Sequence, residues 1–426
     1  MTYESIGSAE SDIGDGELRS LVESSIARSG SPKRAIALPP DATRHHSRAG
    51  RITDMVYDCL GSSLAAVMPA LGTHIPMTDA ELSSMFPGTP LTLFRRHDWR
   101  EGVAELGRIE GSFISSISAG LLGYDWPVQA NRLLVGAEYD RIISIGQVVP
   151  HEVVGMANHA KNIFVGAGGK EAIDKSHFLG AVYGMERMMG RTDTPVRALF
   201  DEALIRHGAD LPPVLWMLTV VGRREDGSLA LRGFFSGDDR DCFERAASLA
   251  RRVNLDLLDE PLAKAVVWLD PAEFRTTWLG NKAVYRTRMA MADGAELVII
   301  APGLERFGED LGIDALIRTY GYRPGAEIVR LVSEKQDLAA NMSAAAHLIH
   351  GCPEGRFRVT YAPGPAVSRQ EMESVGFGYT DIGETIARYR PDICRQGWNR
   401  DSGGEPFFFI PNPALGLWSL ASRFAS

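Results

Sequence analysis

The residues with the most chemical potential sit in a few clusters. They are Asp41-Ala42-Thr43-Arg44-His45-His46, then Gly72-Thr73-His74, then Pro150-His151, followed by a dense stretch from His151 through His159 and Lys161 to Gly169, and by Ser176-His177. Imidazole titrates near neutral pH, so a histidine can take a proton in one step and return it in another. A guanidinium fork suits a carboxylate. A lysine held where water is scarce sheds its charge readily and becomes a nucleophile or covalent anchor. Glycines at 155, 166, 168 and 169 let backbone come close to an anion. Each residue also has an ordinary reading. Asp41 caps a helix, His74 and His151 are loop histidines, and Lys161 is a surface lysine.

The surrounding elements make the joint pattern more telling. The spacing predicts strands at Arg34–Leu38, Ser63–Leu71, Leu91–Arg96, Ser112–Ser118, Val128–Val135 and Arg141–Val149. Thr78–Glu81 is a capping box that starts a helix. Thr194–Arg206 reads as a helix with Pro195 early and Gly208 at its end. Val214–Val221 and Ser228–Phe235, joined around Asp226-Gly227, read as a hairpin, and Cys242–Val253 as a helix. A second alternating pattern starts near Lys264: strand Ala265–Leu269, helical Ala272–Ala292, strand Glu296–Ala301, then further helices leading to Arg358–Tyr361 and Gly383–Tyr389. Strands alternating with helices imply an α/β fold with mainly parallel sheets. Asp41–His46, Gly72–His74 and Pro150–His151 each follow a predicted strand, and ligands of open α/β sheets sit outside the carboxyl ends of strands.

The 426 residues suit two domains rather than one core. Residues 1–32 read as a flexible lead-in with one helical turn around Glu17–Ile26. Residues 33–255 read as a catalytic and cofactor domain, which the apolar strand Pro406–Pro411 within 405–426 is free to rejoin. Residues 263–400 form a second α/β domain, with a hinge near Asp256–Pro261 and an active-site cleft between the two. Apolar residues at 45% and charged residues at 23% are ordinary globular values. A net charge of −9 argues against a nucleic-acid partner. Four cysteines without CxxC spacing argue against a disulfide scaffold. The acidic start lacks the basic, apolar design of a signal peptide, and no apolar run reaches 18 residues. A cytoplasmic protein with no membrane partner is the expectation.

In order and spacing, Asp41-x-Thr43-Arg44, Gly72-Thr73-His74-x-Pro76-x-Thr78, Pro150-His151-x-x-x-Gly155, Lys161 and His177 resemble the nickel-dependent lactate racemase family of 2-hydroxyacid racemases and epimerases. The resemblance implies a nickel pincer nucleotide, tethered through a thioamide to Lys161, with nickel held by two sulfurs, a pyridine carbon and His177. It implies His74 and His151 as acid/base residues on the two sides of the substrate, Arg44 on its carboxylate and Asp41 as a required acid beside it. Thr43, Gly166 and Gly168 fall to the cofactor, and Tyr285 and Arg288 to the substrate. Partners implied are a small 2-hydroxy acid and the proteins that build the cofactor, so a chain made without them is expected to lack it. Soft sulfur with imidazole in a planar array suits nickel(II).

The chain departs from the family in three places. His45-His46 stand where a proline usually follows the arginine. Asn158-His159-Ala160 precede Lys161 where the family is glycine-rich, and His159 there either touches the ligand or packs. Where lactate racemases present a Gln and a Lys after a Tyr, this chain has Tyr285-Arg286-Thr287-Arg288-Met289. These departures point to a larger or more polar substrate, such as a sugar acid, rather than lactate. The competing readings are a zinc hydrolase using these histidines, and a non-catalytic sugar- or nucleotide-binding protein on the same fold. Neither the specific acid nor the oligomeric state is legible.

Overall fold

The computed structural model describes residues 1–224 and 226–424. The chain divides into two compact units, one of Met1–Leu179 with Arg187–Asn254, the other of Gly180–Glu186 with Leu255–Ser426. The fold is mixed α/β with mainly parallel sheets.

The first unit contains β1 (Thr2–Gly7), β2 (Ala35–Leu38), β3 (Leu64–Val67), β4 (Val103–Ile109), β5 (Trp126–Asn131), β6 (Arg141–Gln147), β7 (Pro150–His151), β8 (Gly155–Met156), β9 (Val214–Arg223) and β10 (Leu229–Gly237). Its main sheet has the order β1-β10-β9-β6-β2-β3. β9, β6, β2 and β3 run parallel, while β10 and β1 add antiparallel strands on one edge. β2 is buried at every position and β6 at its five central ones, as expected of strands covered on both faces.

Residues 1–32 are ordered, which corrects the flexible lead-in. β1 pairs with β10, and Asp15–Arg28 is a helix of 14 residues. Leu18, Val22 and Ile26 recur every four residues along it and are buried. Burying such side chains contributes roughly 1.5–3 kcal/mol each, and the acidic, serine-rich positions between them conceal the stripe. Two predicted strands are absent. Residues 112–117 lie in the helix Gly111–Ile117, which Ser118 ends, and there the Asp125 carboxylate accepts the Gly111 N–H at 2.8 Å and Ile114 is buried. Leu91–Leu93 form a single 3₁₀ turn behind Pro90. The capping box at Thr78 and Glu81 is present, and Thr194 caps the helix Pro195–His207.

The second unit contains β11 (Asp256–Leu258), β12 (Leu262–Trp268), β13 (Met291–Ala301), β14 (Arg358–Pro363), β15 (Gly378–Tyr379), β16 (Gly397–Arg400), β17 (Pro406–Ile410) and β18 (Trp418–Leu420). Its main sheet runs β15-β14-β13-β12-β17-β16, parallel except for the four-residue edge strand β16. β17 therefore lies beside β12 in this unit and does not return to the first. Val266, Val298, Ile300, Phe407 and Phe409 form its core on one face, with Tyr389. Residues 256–258, read as hinge, form β11 and pair with β18. The long helix expected over 272–292 is two short ones, Thr277–Gly280 and Lys282–Thr287, and β13 starts at Met291.

Candidate functional site

In the first unit, β6, β2 and β3 are adjacent and parallel. Their carboxyl ends therefore lie side by side, and each is followed by one polar cluster. Beyond β2, Asp41 caps the 3₁₀ helix Ala42–Ser47, accepting from the Thr43 N–H at 3.2 Å and from the Thr43 hydroxyl. Its second oxygen accepts from His74 Nδ1 at 2.7 Å. Burial works to raise the Asp41 carboxyl, but the bonds from His74 and Thr43 outweigh it and hold the group below its usual range. A protonated Nδ1 leaves Nε2 of His74 as a lone pair. That ring is 59% exposed, whereas the Asp41 side chain is 7% exposed.

The loop beyond β3 carries His74. Gly72 adopts φ +59° there, and its N–H donates to the Gly166 carbonyl at 2.8 Å. This ties the loop to the segment after Lys161. Beyond β6, His151 sits in the hairpin β7–β8. Its Nδ1 accepts the Val153 N–H at 3.1 Å, which leaves Nε2 as the open ring atom. The Glu152 carboxylate stands 3.9 Å from Nδ1. Burial pushes His151 well below the usual imidazole range, and Lys161, His177 and Arg44 add to that.

Lys161 precedes a π-helix, Asn162–Gly166. Such wide turns are rare and gather at functional sites. Asn162 fixes its start, donating to the Leu38 carbonyl at 3.0 Å and to the Ser144 hydroxyl at 2.9 Å. One amide thus joins the Lys161 segment to the end of β2 and the middle of β6. Burial, then the Arg44 charge, bring the Lys161 ammonium down to about 8. His177 lies on the helix Lys170–Tyr183. Its Nδ1 donates to the Ile173 carbonyl at 2.7 Å, leaving Nε2 open. Burial, then Lys161, lower it to about 4, so the ring is neutral at physiological pH. The charges of Arg44, Lys161 and His177 register on His151, those of Arg44 and Asp41 on Lys161, and that of Lys161 on His177, while His74 joins through its bond to Asp41.

Several other residues named for the ligand also have partners within the chain. Thr43 is bonded to Asp41. A Cβ on Gly168 would come within 2.0 Å of the Phe164 carbonyl, and one on Gly166 within 2.8 Å of the Ala70 side chain. Close packing favours glycine at both, against its own segment for Gly168 and against Ala70 and Asn162 for Gly166. The Gly168 carbonyl is in turn held by buried His97, whose Nε2 donates to it at 3.1 Å. His45 and His46 are exposed in the Ala42–Ser47 turn. In the second unit, Arg288 is built into an ionic knot: Glu186 binds Arg288 at 3.2 Å and also Arg356 and Arg423. Tyr285 is buried with its ring edge toward His350, and Met289 is buried.

Sequence reading missed Asn162, His97 and Arg197. The only available signal was that Asn162 follows Lys161; for the other two nothing local distinguishes them. His159 packs. Its ring lies 4.2 Å from Trp216 and 5.2 Å from Phe243, and it is 3% exposed. Asn158 and His159 take φ values of +71° and +57°. Two non-glycine residues in succession thus take left-handed backbone, at a cost of order 1–3 kcal/mol per residue.

Residues 19–189 match a family model described as the lactate racemase N-terminal domain. A crystal structure of a Thermotoga maritima protein superposes with a TM-score of 0.79 at 22% identity, covering 96% of this chain and 99% of that one. The lactate racemase apoprotein of Thermoanaerobacterium thermosaccharolyticum superposes with a TM-score of 0.66 at 16% identity, covering 96% and 91%. No curated protein matches the chain in sequence. At these identities the two structures establish the shared fold.

Proposed function

We propose that this chain, which carries a lactate racemase N-terminal domain over residues 19–189, is an isomerase that inverts C2 of a 2-hydroxy acid with a nickel pincer nucleotide. The supporting observation is the pairing of Lys161 with His177. An amine brought down to about 8 is neutral often enough to form an amide-type bond. An imidazole whose Nδ1–H is spent on a backbone carbonyl presents Nε2 to a metal in the manner of metal-ligating histidines. Among the described residues no three His, Cys, Asp or Glu side chains converge to hold a metal. A metal whose remaining donors come from a tethered organic group suits such a site better than a zinc-hydrolase reading does.

When bound, the group supplies a ring that accepts hydride from Cα and returns it. The protein's part follows from the side chains. Arg44 binds the substrate carboxylate with its fork. His74 Nε2 takes the hydroxyl proton, and the Asp41 carboxylate stabilises the resulting imidazolium. His151, held dry and neutral, serves the substrate oxygen from a second direction through Nε2. Scarcity of water around Lys161, His151 and His177 protects the hydride step. The substrate is expected to be larger or more polar than lactate, since the lysine of lactate racemases falls here on Met289 or is replaced by Arg288, and Arg288 is committed to Glu186.

Co-expression with cofactor-building proteins tests this. Intact mass is expected to show an adduct on Lys161, metal analysis about one nickel per chain, and a chiral screen of 2-hydroxy acids an inverted product. A loaded chain that leaves every configuration unchanged would favour the non-catalytic reading.

A further inference from the structure

A cationic side chain outside the cluster lies wholly inside the first unit. Arg197, on the helix Pro195–His207, is 0% exposed. Its two terminal nitrogens donate to the Asn158 carbonyl at 3.2 Å and the Met156 carbonyl at 2.6 Å. Its guanidinium lies over the Phe243 ring at 4.3 Å, and the other partner of that ring is His159. These contacts converge on the two residues with left-handed backbone immediately before Ala160-Lys161. Such a conformation persists only when its surroundings over-determine it. A fork can satisfy two carbonyls at once, which a single ammonium cannot.

We propose that Arg197 is a positioning residue for Lys161, clamping Met156 and Asn158 so that the strained Asn158–His159 turn delivers the lysine amine to the site. Its charge contributes a second effect, since Arg197 is among the cations that disfavour a charged Lys161. The interpretation of Lys161 as cofactor anchor rests on the proposed function; the clamp itself does not.

The test uses the full chain without cofactor or substrate. Lys161 is labelled with a water-soluble acylating reagent across pH 6–10, and its yield is compared by mass spectrometry with that of exposed Lys33. Arg197→Met is expected to move the Lys161 midpoint upward and cut its labelling near neutral pH several-fold. Arg197→Lys, which keeps the charge but loses the fork, is expected to fall between that variant and the parent chain. Lys33 should be unaffected in both. A Lys161 profile identical to the parent's in Arg197→Lys overturns the proposal, whatever happens to the melting temperature. That variant also decides the matter if Arg197→Met does not fold. A chain that never binds nickel but shows the shifts retains the clamp and loses the racemase reading; a nickel-loaded chain without the shifts does the reverse.

Discussion

His177 in the first unit and His347 in the second have much in common. Both lie in helices, and burial lowers both imidazoles, to about 4 and about 3. Their surroundings differ. The His347 ring stacks on Trp278 at 4.4 Å, and its Nε2 meets the Tyr322 hydroxyl at 3.1 Å; that hydroxyl also meets Thr277 at 2.7 Å. His177 spends Nδ1 on its own helix and keeps Nε2 for something else. A depressed pKa reports desolvation in both. The open Nε2 beside a lysine brought down to about 8 is what sets the proposed metal ligand His177 apart from the structural ring of His347.

The strongest way to break this contrast is at the anchor. Lys161→Ala is expected to abolish the mass increment and turnover together, while His177→Ala keeps the increment and loses nickel; intact mass and metal content distinguish them. His74→Ala should keep both and lower kcat by about 10²–10⁴-fold, the usual worth of general acid–base catalysis. Asp41→Asn removes the charge that steadies the His74 imidazolium and is expected to cost about 10–100-fold, comparable to losing an orienting partner of a metal-bound imidazole. On the other side of the contrast, His347→Ala should leave racemisation and Lys161 labelling unchanged. It should lower stability by roughly 1–3 kcal/mol through the unmade hydrogen bond, read by denaturant unfolding.

A further difference is expected with pH. An imidazole depressed from its ordinary 6.5 binds fewer protons folded than unfolded, so it costs stability as pH falls through that interval. For His177 the window runs from about 6.5 to about 4, and for His347 to about 3. Unfolding titrations of the two alanine variants should each lose part of the parent's acid sensitivity across those windows. An unchanged slope in either would refute the assignment for that ring.

The α/β class and the placing of polar clusters beyond neighbouring strands were legible in the sequence. Asp41, His74 and His151 fall at neighbouring strand ends because clusters after adjacent parallel strands must do so, a rule of topology readable from alternation, whereas Lys161 and His177 sit on helical segments that alternation does not place. Local elements failed where distant side chains decide. Gly111–Ile117 is helical with its first N–H taken by Asp125, and Leu18, Val22 and Ile26 order a segment whose composition looks disordered. Arg197 was beyond reach for the same reason: its partners lie 39 and 41 residues away in sequence.

The rims of the second unit's sheet carry a practical consequence. One rim is the two-residue β15 and the other the four-residue β16, ending in Arg400. Neither presents a run of unpaired amides and carbonyls long enough to template a stranger's strand. Concentrated stocks should therefore resist fibrillar growth from this sheet, and lengthening β16 with β-branched residues in place of Arg400 is the change most apt to remove that safeguard.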